Sequence, residues 1–333
     1  MSRLPSFFAS TPPSVGVEIA SDHVSAVSLV ADGRTVAGYA TERLPAGAIT
    51  PALNAANVRD RAAVVAAVKA AFDKLGAHPR RVALVVPDIA AKVSLLRFEK
   101  VPSPHDLEEL IRWQVRKGTP FKPEDSVISW VPGVALPGGG REYVVTQARR
   151  DVIQSYEAIC DEAGAEAGVV DLATMNLINA AIAGGAPPAD DTAAHGDWLV
   201  VHVAVDYATL AIVRGTDLIF MRTRPTAAAA VPDAEGQSLE SPGDLADLVH
   251  QTAMYHEDRL EGAQQFSRVI LSGAHQTGSR VDTIRQTIEE RLGVRVEPLD
   301  FRGSSLRERI KSAPELLDAL APALGIVLRE RVA

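Results

Sequence analysis

The chain carries a single cysteine, Cys160, in 333 residues. A disulfide framework and a cysteine-rich zinc site are therefore excluded. The scarcity suits a reducing compartment, and Cys160 itself reads as a small buried apolar residue. No apolar run approaches the ~20 residues needed to cross a bilayer. Basic residues are in the minority, 34 Lys and Arg against 42 Asp and Glu, for a net charge of -8. That balance argues against nonspecific nucleic-acid binding and against a polybasic membrane anchor. The opening MSRLPSFFASTPPS has Phe7 and Phe8 but no continuous apolar core, so it makes a poor signal peptide and residues 1–14 read as a flexible tail. The expectation is a cytoplasmic protein, with no direct membrane insertion, that reaches any membrane through a partner.

What is present is ordinary globular composition, 47% hydrophobic and 23% charged, long enough for two domains or one domain plus an insert. Residues 15–21, 24–31 and 35–41 alternate as three short strands, with Asp32-Gly33 a hairpin signal. Val64, Val65, Val68, Phe72 and Leu75 fall at helical spacing within 58–75, and Arg81–Val86 is a buried-type strand stopped by Pro87. KVSLLRF is a strand, and SPHDLEELIRWQVRKG is a helix with Ser103 as N-cap, Pro104 at its first position, and Leu107, Leu110, Ile111 and Val115 on its inner face. SVISWV and EYVVTQA are strands joined by a turn around PGGGRE, followed by a helix over 149–163, a strand GVVDL and a helix to about 183. GGAPPADDTAAHG reads as a linker over 184–196. WLVVHVAVD, TLAIVRG and DLIFMRTR then repeat the three-strand opening, ahead of helices at 242–261, 280–292 and about 314–330 and strands RVILS and VRVEP.

The internal repeat organises this pattern. EIASDHVSAVSLVADG (18–33) aligns with HVAVDYATLAIVRGTD (202–217), so that Ala20 meets Ala204, Asp22 meets Asp206, His23 meets Tyr207 and Ser25 meets Thr209. Two equivalent βββαβα halves that face each other leave a cleft, and each half points its first hairpin turn into it.

This α/β architecture resembles the actin-like ATPase fold of actin, the Hsp70 chaperones, sugar kinases and FtsA. The segment VSLLRFEKVPSPHDLEELIRWQVRKGTPFKPED is similar to the type IV pilus assembly protein PilM family, whose helix has the pattern ELEEAIRWEAEKYIPF; the matching residues are Glu108, Glu109, Ile111, Arg112, Trp113, Pro120 and Phe121. The resemblance spans about Val15 to Leu328. It implies a first actin-like subdomain at 15–81, an FtsA-like inserted subdomain at 82–183, a second actin-like domain at 197–312, and a C-terminal helix within 313–333 that returns to the first half. It also implies a cytoplasmic partner of the N-terminal tail of a PilN-like inner-membrane protein, with other platform or motor components as further candidates. The groove between the first subdomain and the insert is the expected docking place, with Arg97, Arg112, Trp113 and Phe121 as contacts; Trp113 and Phe121 read equally well as core.

The family's nucleotide elements are each altered. The first phosphate turn usually reads DIGSSSVK; here Glu18, Ala20, Ser21, Asp22 and Ser25 stand in it, without the glycine and lysine. Exchanging the lysine for Ser25 and adding Asp22 shifts two charge units against an anion, each contact worth roughly 4 kcal/mol at ~4 Å and an effective dielectric of ~20 before screening. In the second turn His202 replaces the Asp that helps hold Mg²⁺, a cation that prefers oxygen ligands, while Ala204 replaces Gly, Asp206 adds negative charge and Thr209 remains as a phosphate contact. The adenosine element LSGAH keeps Gly273 and places Ala274 and His275 where they would crowd a purine. No catalytic or metal-ligating residue is assigned, and no cofactor, or only weakly bound ATP with Mg²⁺, is expected. The leading reading is a pseudo-ATPase adaptor of a type IV pilus, secretion or competence platform. The alternatives are an ATP-binding switch that keeps Glu18 as a magnesium-side carboxylate, and a metabolite kinase, for which no aspartate base stands out. PGGGRE lacks the GK[ST] of a P-loop. His250 and His256 read as solvated surface, and Arg149, Arg150 and Asp151 as a helix N-terminus.

Overall fold

The computed structural model describes residues 13–33, 35–100, 103–116, 118–184, 196–229, 238–260, 266–273, 280–299 and 314–328. Strands β1 (Val15–Ile19), β2 (His23–Leu29) and β3 (Val36–Arg43) form an antiparallel meander. Helix α1 (Arg61–Leu75) follows, started by the Asp60 carboxylate, which accepts from the Ala63 N–H at 3.0 Å. Its Val64, Val65, Val68 and Phe72 are buried against the sheet. Strand β4 (Arg81–Val86) runs parallel to β1 and ends in a 3-10 turn, Asp88–Ala90.

The chain then leaves the first sheet. Strands β5 (Ala91–Phe98), β6 (Ser126–Ala135) and β7 (Arg141–Arg149) make a separate three-stranded sheet in the order β5-β7-β6. Helix α2 (Pro104–Val115) packs on one face of it through Leu107, Ile111 and Val115, with Phe98, Tyr143 and Val145 opposite. Leu110, expected on that inner face, is 39% exposed. A sheet of three strands is narrow, and one i, i+4 row of the helix covers it. The PGGGRE stretch is the β6–β7 turn, built on a 3-10 segment, Pro137–Gly139.

Helix α3 (Arg150–Glu162) leads back to β8 (Glu166–Leu172), parallel to β4, and then to α4 (Ala173–Ala183). The first sheet therefore has the order β3-β2-β1-β4-β8. Its membership differs from the boundaries 82–183 expected for the insert: β4, α3, β8 and α4 belong to the first sheet and its faces, and the separate unit spans 91–149. Near-continuous apolar runs such as RVALVV look alike in either place; only the pairing with β1 assigns them.

Strands β9 (Trp198–Val203), β10 (Tyr207–Arg214), β11 (Asp217–Pro225), helix α5 (Pro242–Arg259), β12 (Arg268–Ser272), α6 (Arg280–Leu292) and β13 (Val296–Pro298) build the second half, with sheet order β11-β10-β9-β12-β13. The two orders are equivalent, and so are the registers: Glu18 lies opposite Ser25, and His202 opposite Thr209. The last helix, α7 (Pro314–Leu328), returns to the first half. Together α4 and α7 carry Leu177, Ile178, Leu320, Ala323, Leu324 and Val327 into a core shared with Trp198, Val200, Ala211 and Ile270 of the second half. Each fully buried Leu or Ile there contributes about 2 kcal/mol.

The two helices meet closely at Gly325, where an added Cβ would overlap the Asn176 carbonyl oxygen on α4. Gly325→Ala is expected to force the helices apart and to cost about 1–3 kcal/mol. A lowered urea midpoint at unchanged m-value in equilibrium unfolding checks it.

Candidate functional site

The cleft between the halves is closed by side chains. Asp88, in the turn after β4, is 1% exposed. Its carboxylate accepts from the Thr174 backbone N–H at 2.9 Å and from the Thr174 hydroxyl, both on α4. From the second half it accepts from the Thr209 hydroxyl at 2.9 Å, and His202 Nδ1 lies 3.4 Å away. The Thr174 hydroxyl gives its proton to Asp88, so the 3.0 Å contact between Thr174 Oγ1 and His202 Nδ1 requires the Nδ1–H tautomer of His202. Likewise Thr209 gives its proton to Asp88, so Thr223 donates to Thr209 at 3.0 Å. The edge of the His202 ring rests against Tyr207, centroids 5.6 Å apart. A second tie runs from Ser272 Oγ on β12 to Asp318 on α7 at 3.0 Å.

The two hairpin tips also meet. Burial and the nearby charge of Asp22 raise the Asp206 carboxyl, against the lowering influence of the Ser21 hydroxyl. Asp22 takes a hydrogen bond from His23 Nδ1 at 2.7 Å; burial pushes its carboxyl up, but the histidine outweighs that and holds it low. The same contact and Glu18 raise the His23 pKa against the cost of burial. Glu18, at the end of β1, accepts from Ser25 at 3.2 Å and lies 3.8 Å from His23 Nε2. Burial pushes the Glu18 carboxyl up, against the downward pull of His23, His202 and Ser25.

Every nucleotide-element residue within the described chain is thus brought to one cleft: Glu18, Ser21, Asp22, Ser25, His202, Asp206 and Thr209. Gly273 follows β12 with φ +80, and an added Cβ there would overlap the Val203 carbonyl oxygen. His275 lies outside the described residues. Asp88 and Thr174, the centre of the network, were missed by the sequence reading. The available signal was a carboxylate just past the C-terminal end of a central parallel strand, which is where open α/β sheets place ligand-facing groups. Among the described residues, no group of three or more His, Cys, Asp or Glu is placed to hold a metal ion.

The partner-binding candidates scatter over the insert. Trp113 is 71% exposed on α2, which rejects the core reading for it. Arg112 pairs with Glu108 one turn away at 3.0 Å, and Arg97 pairs with Glu99 at 3.4 Å. Phe121 is half-buried and lines a cleft of about 750 Å³ with Pro120, Arg149 and Arg150. Arg149 precedes α3 without a side-chain capping bond and pairs with Asp151 in its first turn.

A second groove, of about 600 Å³, lies between the first half and the insert, and Arg97, Arg112, Trp113 and Phe121 are absent from its walls. One wall is β8, the last strand of its sheet among the described residues, together with Met175 and Ile178 of α4. The second is the face of the insert sheet turned away from α2, with Val127, Val131 and Val144. The third is the β10–β11 turn at Thr216, Asp217 and Leu218.

His256, expected on the surface, is fully buried on α5. Its Nε2 lies 2.7 Å from Asp197, which also receives a two-pronged contact from Arg214 at 2.8 and 2.7 Å. Burial raises the Asp197 carboxyl, but Arg214 and His256 outweigh it and hold the pKa low. The ring stacks on Phe266 at 4.6 Å. This cluster knits the second half together away from the cleft.

The family model described as type IV pilus assembly protein PilM matches residues 16–232. The chain belongs to the PilM family. Among solved structures, the PilM-PilN type IV pilus biogenesis complex is similar at TM-score 0.73 and 18% identity, over 95% of this chain and 98% of that one. A Bacteroides thetaiotaomicron protein of actin-like ATPase fold and unknown function matches at TM-score 0.47 and 12% identity, over 88% and 93% of the two chains. The cytoplasmic domain of EpsL, an inner-membrane component of the Vibrio cholerae type II secretion system, matches at 0.45 and 10%, over 77% and 80%. No curated protein sequence matches the chain. The fold of this PilM-family chain is actin-like, and no helix among its described residues is long and apolar enough to cross a membrane.

The raised Glu18 pKa has a defined sign. A carboxyl whose folded pKa lies above its unfolded value of 4.5 stabilises the fold fully below that value, and the contribution is lost as pH rises through the folded pKa. Glu18→Gln is therefore expected to raise the urea midpoint at pH 8, with the advantage over the wild type shrinking as pH falls to 4.5 and below. Equilibrium unfolding across pH 4–8 measures this.

Proposed function

We propose that this PilM-family protein is a cytoplasmic adaptor of a type IV pilus, or of a related secretion or competence platform. It docks the N-terminal tail of a PilN-like inner-membrane protein and is held at the membrane through that partner. The observation that carries the reading is the 600 Å³ groove, with apolar walls on two sides and a terminal sheet strand along one of them. An extended tail can add to such an edge through main-chain hydrogen bonds while alternate side chains enter apolar pockets. The structurally similar PilM was solved as a PilM-PilN complex, which supports the same pairing here.

Val131 and Met175 are better candidates than Trp113 or Arg112, since they line the walls of the groove. Val131 is 56% exposed, so a charge there leaves the core intact. Val131→Arg is expected to weaken capture of a PilN-like tail peptide at least about tenfold, the scale of one lost apolar anchor, with an unchanged melting temperature. Unchanged capture would remove this groove as the docking place.

The same reading makes the protein a pseudo-ATPase. Asp206 of the second phosphate turn lies within electrostatic reach of Asp22 of the first, where the two turns would grip a triphosphate, and no lysine stands in either turn. Asp22, Asp206 and Asp88 repel an anion, and His202 is committed to the Thr174–Asp88 contact rather than to a cation's water shell. Calorimetric titration with ATP and Mg²⁺ is expected to give millimolar affinity or none. Micromolar, Mg²⁺-dependent binding would restore the switch reading, with Glu18 as the metal-side carboxylate.

A further inference from the structure

The closed cleft and the groove are built from the same elements. Helix α4 gives Thr174 to the Asp88 network at its start and Met175 and Ile178 to the groove. Strand β11 gives Thr223 to the network and, six residues earlier along the chain, Asp217 to the groove. The turn that holds Asp88 runs directly into Ala91, which also lines the groove. Helix α4 has no side-chain cap of its own at Leu172, and Asp88 supplies the negative charge that its exposed N–H groups favour.

In this fold an anion bound between the hairpins would join the halves. Here a carboxylate of the chain makes that bridge, with donors from both sides. We propose that Asp88 is an internal substitute for a bound anion: it holds the two halves shut with no ligand present, and it thereby positions the β10–β11 turn as the third wall of the groove. The effect on peptide capture rests on the docking reading above; the effect on closure stands without it.

The test reads closure directly. Nitroxide labels at Glu166→Cys on β8 and Thr216→Cys on the β10–β11 turn, both exposed, report the distance between the halves by double electron–electron resonance. Cys160 can stay in place, because its thiol is buried and pushed up to about 12. The labelled chain with no nucleotide is expected to give one narrow distance. Asp88→Asn and Thr209→Val keep the side-chain volumes, so packing alone would not respond to them. Each removes charge-assisted hydrogen bonding worth a factor of about ten to a hundred in the closed-to-open ratio. Both are expected to broaden the distribution toward longer distances. Both should also weaken capture of a PilN-like tail peptide in proportion to the closed fraction lost, although neither residue lines the groove. An unchanged distribution in Thr209→Val and in Asp88→Asn overturns the proposal; should Asp88→Asn fail to fold, Thr209→Val alone decides. Broadened distances with no capture by the wild type would uphold the clasp and reject tail docking. Capture by the wild type with distances unmoved in the variants would do the reverse.

Discussion

A carboxylate removed from water costs several kcal/mol unless donors surround it. Asp88 is almost wholly buried, and its donors come from both halves of the molecule. Thr174 of the first half gives each oxygen one donor, and Thr209 and His202 of the second half complete the shell of one of them. Opening the cleft would strip that oxygen of its partners from the second half. The tautomer of His202, the direction of the Thr223 hydroxyl and the capping of α4 all follow from where the Asp88 oxygens lie.

The apolar contacts between the halves act differently. The layer formed by α4 and α7 buries Leu177, Leu320 and Leu324 against both sheets and keeps the halves together, but hydrophobic burial is non-directional. It permits rocking about the layer. Hydrogen bonds fix an angle, and those at Asp88 and between Ser272 and Asp318 lie on the two sides of the β9 end where such rocking would open the cleft. Here both constraints act on the same pair of halves: the apolar layer holds them together, and the hydrogen bonds in the cleft set their angle.

The insert shows the same economy. Its three-stranded sheet uses one face to bury α2 and leaves the other, with Val127, Val131 and Val144, for the groove. Because side chains alternate along a strand, a single sheet can build a core on one face and line a groove with the other. Leu110 and Trp113 on α2 fall outside both uses and remain on the surface.

Much of this could be read from residue order. Alternating strands, the Asp60 and Ser103 helix starts and the repeat of residues 18–33 at 202–217 are local patterns, and local patterns are written in neighbouring residues. The repeat aligned Ser25 with Thr209 and pointed both hairpin turns into one cleft; the structure adds that Glu18 lies opposite Ser25 and His202 opposite Thr209, since turns of equal length impose equal registers. The family resemblance followed from the α2 segment for the same reason. Other properties depended on distance in space. Asp88 and Thr174 are 86 residues apart, and nothing local marks them as partners. His256 looked like surface because its buried partner, Asp197, lies 59 residues away. The edges of the insert were misplaced because a buried strand reads the same in either sheet. By itself the sequence determined the elements, the duplicated halves and the absence of glycine and lysine from the two hairpin turns. Only the tertiary structure decided what occupies the cleft and which walls form the groove, because buried charges and shared walls are satisfied by groups that the fold, not the chain order, brings together.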